Sequence, residues 1–86
     1  MKKFEYTVQE STGLHARPAG LLVKAAKALD STITLESAAG KTAAATKLMA
    51  VMGLGIKQGD TVTVTVEGGD EEASATVMEK FFSENL

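Results

Sequence analysis

Residues 61–66 form the most regular alternation of polar and apolar side chains in the sequence, Thr-Val-Thr-Val-Thr-Val. A two-residue period places the valines on one face of a β-strand and the threonines on the other. A strand with a single apolar face belongs in a sheet that is covered on one side and open to water on the other. The alternation therefore predicts a strand in the middle of a one-sided sheet.

Two earlier segments, Lys3–Gln9 and Ser31–Ser37, alternate in the same way and are predicted as strands. Their inward side chains are expected to be Phe4, Tyr6, Val8, Ile33 and Leu35. Apolar residues at helical spacing predict a first helix over residues 16–29 and a last helix from Asp70 to about Glu84. The expected buried stripes are Leu22, Ala25, Ala26 and Leu29 in the first helix, and Val77, Met78 and Phe81, preceded by Ala73 or Ser74, in the last.

Composition limits both the fold and the function. A chain of 86 residues with 44% hydrophobic content suffices for one domain, residues 1–86, with one modest core. The absence of cysteine and the single histidine exclude disulfides and the usual structural zinc sites, so we expect no metal and no cofactor. No apolar run has the length of a signal peptide or a membrane span, which predicts a cytoplasmic protein without membrane contact. A net charge of −2 with scattered lysines makes nucleic acid a poor partner.

The segment Ser11–Gly20 contains the only histidine, arginine and proline of the chain. Gly13 suits a turn, and Pro18 suits the first turn of a helix, where its missing N–H has no intrahelical partner to lose. His15 is therefore expected at or beside the N-cap of the first helix.

This placement favours phosphate chemistry. The free N–H groups of Ala16 and Arg17, together with the helix dipole, suit a dianionic phosphate, and the Arg17 guanidinium can pair with two of its oxygens. The uncharged imidazole of His15 is a nucleophile near neutral pH. In the alternative interpretation, His15 only caps the helix and Arg17 pairs with a surface carboxylate such as Glu10.

The run from Gly13 to Ala19, Gly-Leu-His-Ala-Arg-Pro-Ala, resembles the phosphorylation-site motif of HPr, the histidine-containing phosphocarrier family of the bacterial phosphoenolpyruvate:sugar phosphotransferase system. The chain length, the order of elements and the later run from Gly40-Lys41-Thr42 to Leu54-Gly55-Ile56 also fit this family. The resemblance implies an α+β open-faced sandwich, βαββαβα, in which three helices cover one face of a four-stranded antiparallel sheet.

Residue propensity and the family resemblance predict different structures for Lys41–Met52. Helix propensity alone favours one helix from Thr42 to Met52, because of the run of alanines at 43–45. The resemblance instead implies an edge strand over Lys41–Ala44 and a short helix over Lys47–Met52 with Thr46 as its N-cap. We expect the second arrangement, with some apolar surface left exposed on the short helix. Before this segment, Ala38–Gly40 is predicted as a hairpin turn, because glycine tolerates a positive φ.

The resemblance also implies a function. His15 would accept a phosphoryl group on Nδ1 from phosphorylated enzyme I and pass it to enzyme IIA domains of sugar permeases, while Arg17 steadies the phosphate. The chain would be a stoichiometric carrier, not an enzyme, and we expect a monomer because no heptad seam is visible. The surface shared by both partners would comprise Ala16, Arg17, Gly20, Leu48, Met49 and Met52.

One departure from the family pattern concerns regulation. The serine that an ATP-dependent kinase phosphorylates in many members falls on Lys47 here, and the adjacent hydroxyl, Thr46, is the remaining candidate acceptor. Two other functions stay open: a protein that signals to regulators of transcription through phosphorylation of His15, and a small domain that binds an anion without covalent chemistry.

Overall fold

Four strands and three helices follow one another in the order βαββαβα in the computed structural model, which describes all 86 residues. The elements are β1 (Lys2–Thr7), α1 (Ala16–Lys27), β2 (Thr32–Glu36), β3 (Thr42–Ala44), α2 (Leu48–Met52), β4 (Thr61–Glu67) and α3 (Glu71–Asn85). The predicted element order and fold class are confirmed, with strand and helix ends that differ by one or two residues. None of the helices is long and apolar enough to cross a membrane.

The sheet is antiparallel throughout, with the strand order β1-β4-β2-β3. The predicted central position of the Thr-Val strand is confirmed, since β4 lies between β1 and β2. Its three valines are fully buried, and Val64 is paired with Phe4 on one side and Leu35 on the other. The alternating sequence thus determines which face of the sheet is covered.

All three helices lie on the valine face of the sheet. α3 packs on β1 and β4, α2 packs beside β3, and α1 contacts both other helices. The strand order places the edge strands β1 and β3 on opposite flanks of the sheet. The threonine face has no helix over it, as expected for a strand set with one apolar side.

The core is centred on Phe82, whose ring meets Phe4 and Tyr6 edge-on at centroid distances of 6.0 and 5.5 Å. This arrangement corrects the predicted stripe of the last helix. Val77 is 43% exposed, whereas Phe82, which the prediction left out, is fully buried. The buried residues of α3 are Ser74, Ala75, Met78 and Phe82.

The two adjacent phenylalanines of α3 explain why the predicted buried stripe differs from the observed one. Phe81 and Phe82 differ by about 100° around the helix, so periodicity admits either as the inward ring. Packing of α3 on the β1 aromatics selects Phe82, which turns Val77 outward. Ser74 is buried at little cost because its hydroxyl bonds to the Ser31 hydroxyl, with an oxygen–oxygen distance of 2.8 Å.

The segment after β2 follows the arrangement implied by the resemblance, with one correction. Gly40 has a φ of +87° in the predicted turn, and the edge strand and the short helix are both present. The N-cap of α2, however, is Lys47 and not Thr46. The Ala45 N–H still bonds to the Ile33 carbonyl at 2.9 Å, so strand pairing runs on and the helix begins one residue later than expected.

Candidate functional site

His15 is the N-cap of α1, with φ −92° and ψ −171°. Its carbonyl accepts the first helical hydrogen bond, from the Ala19 N–H at 2.8 Å. Its side chain is exposed and makes no capping hydrogen bond. The predicted position is confirmed and the capping interpretation is wrong, which leaves the imidazole open to reaction.

The loop before His15 is held against the segment that follows α2. Gly13 has a φ of +65°, and a Cβ at this position would lie 2.5 Å from the Ile56 carbonyl oxygen. The next residue, Leu14, is buried and donates its N–H to the same carbonyl at 3.0 Å. The β1–α1 loop therefore has little freedom to shift His15.

The first turn of α1 presents unpaired donors beside His15. The N–H groups of Ala16 and Arg17 have no acceptor in the protein, and Pro18 has no N–H to present. No acidic residue lies in this turn to compete for the positive end of the helix dipole. The arrangement fits the predicted phosphate-binding role of Ala16 and Arg17.

The Arg17 side chain is exposed and free of carboxylate partners. The one ion pair of the structure joins the Met1 amino group to Glu71. Pairing of Arg17 with Glu10 is therefore wrong. The Glu10 carboxylate instead accepts hydrogen bonds from Ser11 Oγ and Thr12 Oγ1 at 3.3 and 3.4 Å.

An open depression of about 480 Å³ joins these residues to the end of the last helix. Its lining residues are Glu10, Thr12, His15, Arg17, Pro18, Leu21, Glu84 and Asn85. Sequence reasoning did not place Thr12, Leu21, Glu84 or Asn85 at the site. Glu84 and Asn85 are distant in sequence, and they arrive because the Leu86 carbonyl accepts the N–H groups of Gln9 and Glu10. No local pattern signals such a long-range contact.

The predicted partner surface lies on two neighbouring helices. α1 and α2 contact each other, and Ala16, Arg17 and Gly20 are exposed on α1. On α2, Leu48 and Met49 are 41% and 78% exposed, and Met52 is half-buried because the helix turns Val51 into the core. The expectation of apolar surface on this short helix is confirmed. Next to it, Lys47 is exposed and Thr46 half-buried.

Comparison with known proteins gives one consistent result. The family model described as "PTS HPr component phosphorylation site" matches residues 2–84. Crystallised HPr-C-His from Thermoanaerobacter tengcongensis is similar at 35% identity, covering 99% of this chain and 94% of its own, with a TM-score of 0.91.

Two further structures extend this likeness. The phosphocarrier protein HPr from Bacillus anthracis is 33% identical over 99% of this chain and 96% of its own, with a TM-score of 0.85. The Bacillus subtilis catabolite repression protein Crh, solved as a swapped dimer, is 32% identical over 100% and 98%, with a TM-score of 0.76.

Proposed function

The chain belongs to the HPr family of phosphocarrier proteins, and we propose that His15 carries the phosphoryl group. Proteins of this family are carriers of the phosphotransferase system and not catalysts, so the chain is no enzyme. The observation that carries the proposal is the position of His15, whose exposed imidazole stands at the N-terminus of α1 beside two unpaired N–H groups. We infer one phosphocarrier domain over residues 1–86.

The transfer needs positioning more than acid–base machinery. In a loose, in-line displacement the bond from phosphorus to its donor atom in enzyme I breaks while the bond to Nδ1 of His15 forms. The negative charge stays on the peripheral phosphoryl oxygens throughout. The N–H groups of Ala16 and Arg17 and the Arg17 guanidinium supply donors to those oxygens, and the rigid β1–α1 loop holds the imidazole in place.

Enzyme I and enzyme IIA domains are the proposed donor and acceptor. Both would use the surface of α1 and α2, which includes the exposed Gly20, Leu48 and Met49 and the half-buried Met52, so they bind in turn. We propose that the carrier acts as a cytoplasmic monomer. Crh was solved as a swapped dimer, so the proposed monomer needs a direct test. Light scattering of the purified chain is expected to give the mass of one chain.

A relay assay tests this function with purified components. Phosphoenolpyruvate labelled in its phosphoryl group is incubated with catalytic enzyme I and the chain, enzyme I is then removed, and an enzyme IIA domain is added. The label is expected on the chain first and on the enzyme IIA domain afterwards. Label that enters the chain but reaches no enzyme IIA domain contradicts the relay.

Crh is a catabolite repression protein, and its similarity to this chain favours a regulatory protein as a second candidate. In this chain the signal would be the phosphorylation of His15. Lys47 stands where many family members have the serine that an ATP-dependent kinase phosphorylates. Its amine cannot replace the serine hydroxyl as the acceptor, so regulation by this kinase at position 47 is not expected. Thr46 stays a candidate acceptor, although it is half-buried beside α2. Partner identity separates the two functions: binding to a regulator of transcription, with no transfer to any enzyme IIA domain, supports signalling.

A further inference from the structure

The outer edge of β1 carries unpaired backbone groups. β1 is an edge strand whose only neighbour is β4. Just beyond β1, the Val8 N–H donates to the Asp60 carbonyl at 2.9 Å, on the β4 side. Backbone N–H and C=O groups of an antiparallel strand point alternately to its two sides. The backbone groups of Tyr6 and Phe4, two and four positions before Val8, therefore also face β4. The residues between them turn their N–H and C=O groups outward, and these are Lys3, Glu5 and Thr7.

One end of this outer edge is closed by the protein itself. The Gln9 N–H donates to the Leu86 carbonyl, and the Gln9 side-chain amide donates to the Thr7 carbonyl at 3.1 Å. The groups that stay available are the N–H and C=O of Lys3 and Glu5 and the N–H of Thr7. An edge of this kind is a template for a further strand.

A groove runs along the same edge, between β1 and α3. It consists of two adjoining depressions of about 440 and 240 Å³, which share Tyr6 and Ser83 as lining residues. Phe4 and Tyr6 are half-buried and line this groove. A strand added at this edge would therefore contact the apolar rings of Phe4 and Tyr6 as well as the outward backbone groups of Lys3 and Glu5.

The groove is negatively charged. Four carboxylates line it against a single ammonium group, that of Lys80. The acidic residues are Glu5, Glu10, Glu79 and Glu84. This excess of negative charge attracts cationic side chains and disfavours acidic ones.

We propose that the outer edge of β1 is a docking site for an extended segment, rich in lysine or arginine, of a partner protein. The segment pairs with residues 3–7, a stretch of about 14 Å at the rise of an antiparallel strand. Backbone hydrogen bonds to Lys3 and Glu5 supply affinity, and the carboxylates along the groove select basic residues.

This docking site is separate from the surface proposed for enzyme I and enzyme IIA. β1 and β3 are opposite edges of the sheet, and α2 packs beside β3. The groove nevertheless reaches the phosphate site, because its second depression shares Glu10, Glu84 and Asn85 with the one that holds His15. Binding at the outer edge of β1 does not require phosphorylation of His15.

The test is a titration of the ¹⁵N-labelled chain with an acetylated, amidated heptapeptide of alternating lysine and valine, followed by amide chemical shifts and hydrogen exchange. The largest shifts are expected at residues 3–7 and at Ser83, and exchange of the Lys3 and Glu5 amides is expected to slow on binding. The same peptide with glutamate in place of lysine is expected to cause no shifts.

Variants separate the backbone contribution from the charge. Glu79→Gln is expected to raise the Kd of the lysine peptide about threefold, whereas the matched change Glu36→Gln on β2 leaves it unchanged. Glu5→Pro removes an outward N–H without breaking the β1–β4 ladder and is expected to raise the Kd more than tenfold. Glu5→Gln keeps the N–H and removes the charge, so its Kd for the lysine peptide reports the charge contribution alone. This variant replaces Glu5→Pro if the proline variant does not fold.

Three results would overturn the proposal. One is equal binding of the glutamate peptide, and another is a set of shifts centred on α2 instead of β1. The third is a shift of the Lys3 and Glu5 amides that grows with protein concentration in the absence of peptide, because the edge would then pair with a second copy of the chain.

Discussion

Gly13 and Ile56 approach so closely that a Cβ on Gly13 would lie 2.5 Å from the Ile56 carbonyl oxygen. The same carbonyl accepts the Leu14 N–H, so one peptide group fixes the two residues that precede His15. The position of the candidate nucleophile thus depends on a contact between two loops that are far apart in sequence.

The first prediction follows from this contact. Gly13→Ala is expected to lower the free energy of unfolding by about 3 kcal/mol, because it adds a backbone clash to the cost of a positive φ. Gly55→Ala is the matched control: its φ is +66°, and no heavy atom lies within 4 Å of an added Cβ. The control should lose only about 1 kcal/mol. Urea unfolding measures both, and equal losses would contradict the close contact.

The second prediction concerns the rotation of α3. Phe82→Ala removes the ring at the centre of the core and is expected to cost about 3–5 kcal/mol in unfolding free energy. Val77→Ala, at a position 43% exposed, is expected to cost under about 0.5 kcal/mol. Thermal and urea unfolding give the comparison. A larger loss for Val77→Ala than for Phe82→Ala would restore the stripe predicted from the sequence.

The third prediction concerns pH. Hydrogen bonds from the Met1 amino group and the Gly68 N–H lower the pKa of Glu71 below its ordinary value of 4.5. A carboxyl group whose pKa is lower in the folded state adds stability above its unfolded pKa, and this stability is lost as the pH falls through the folded value. The side-chain carboxyl shift of Glu71 should titrate below pH 4.5, and Glu71→Gln should remove that share of the acid dependence. A midpoint at or above 4.5 would contradict the interaction.

The fourth prediction concerns Arg17. Arg17→Ala is expected to slow phosphorylation by enzyme I about tenfold to a hundredfold, because a charge-assisted hydrogen bond to the phosphoryl oxygens is lost. Lys24→Ala removes one positive charge from the last turn of α1, far from His15, and should leave the rate unchanged. Single-turnover kinetics with phosphorylated enzyme I measure both. Equal slowing in Arg17→Ala and Lys24→Ala would mean that Arg17 contributes only its positive charge to the attraction of enzyme I, and no specific hydrogen bond.

The fifth prediction concerns the partner surface. Met49→Glu places a charge on the most exposed large apolar side chain of α2 and is expected to raise the Kd for enzyme I at least about tenfold. Val77→Glu puts the same charge on an exposed valine of α3 and should leave that Kd unchanged. Calorimetric titration with enzyme I measures the Kd of both variants. Loss of binding in both variants would move the interface away from α2.

Local patterns predicted most of the fold because each strand has one apolar face. Alternation identified β1, β2 and β4, and Pro18 marked the first turn of α1. Patterns failed where two local solutions compete: Phe81 and Phe82 offered two rotations of α3, and Thr46 and Lys47 two starts of α2. Tertiary contacts made these choices, through the β1 aromatics in one case and the Ala45–Ile33 hydrogen bond in the other.

The candidate site divides in the same way. His15, Ala16 and Arg17 are adjacent in sequence, so a single helix N-terminus brings them together and the motif predicts their arrangement. Glu84 and Asn85 join the site only because α3 packs on β1 and its end bonds to the loop after that strand. Contacts between distant segments of this kind have no local signature.

The role of His15 as the phosphoryl carrier is tested by the intact mass of the chain after incubation with phosphoenolpyruvate, magnesium and enzyme I. The chain should gain the mass of one phosphoryl group, which acid removes and base preserves, and His15→Ala should gain nothing. No gain, with an enzyme I active on another carrier, or an equal gain in His15→Ala, would show that His15 is not the phosphoryl carrier.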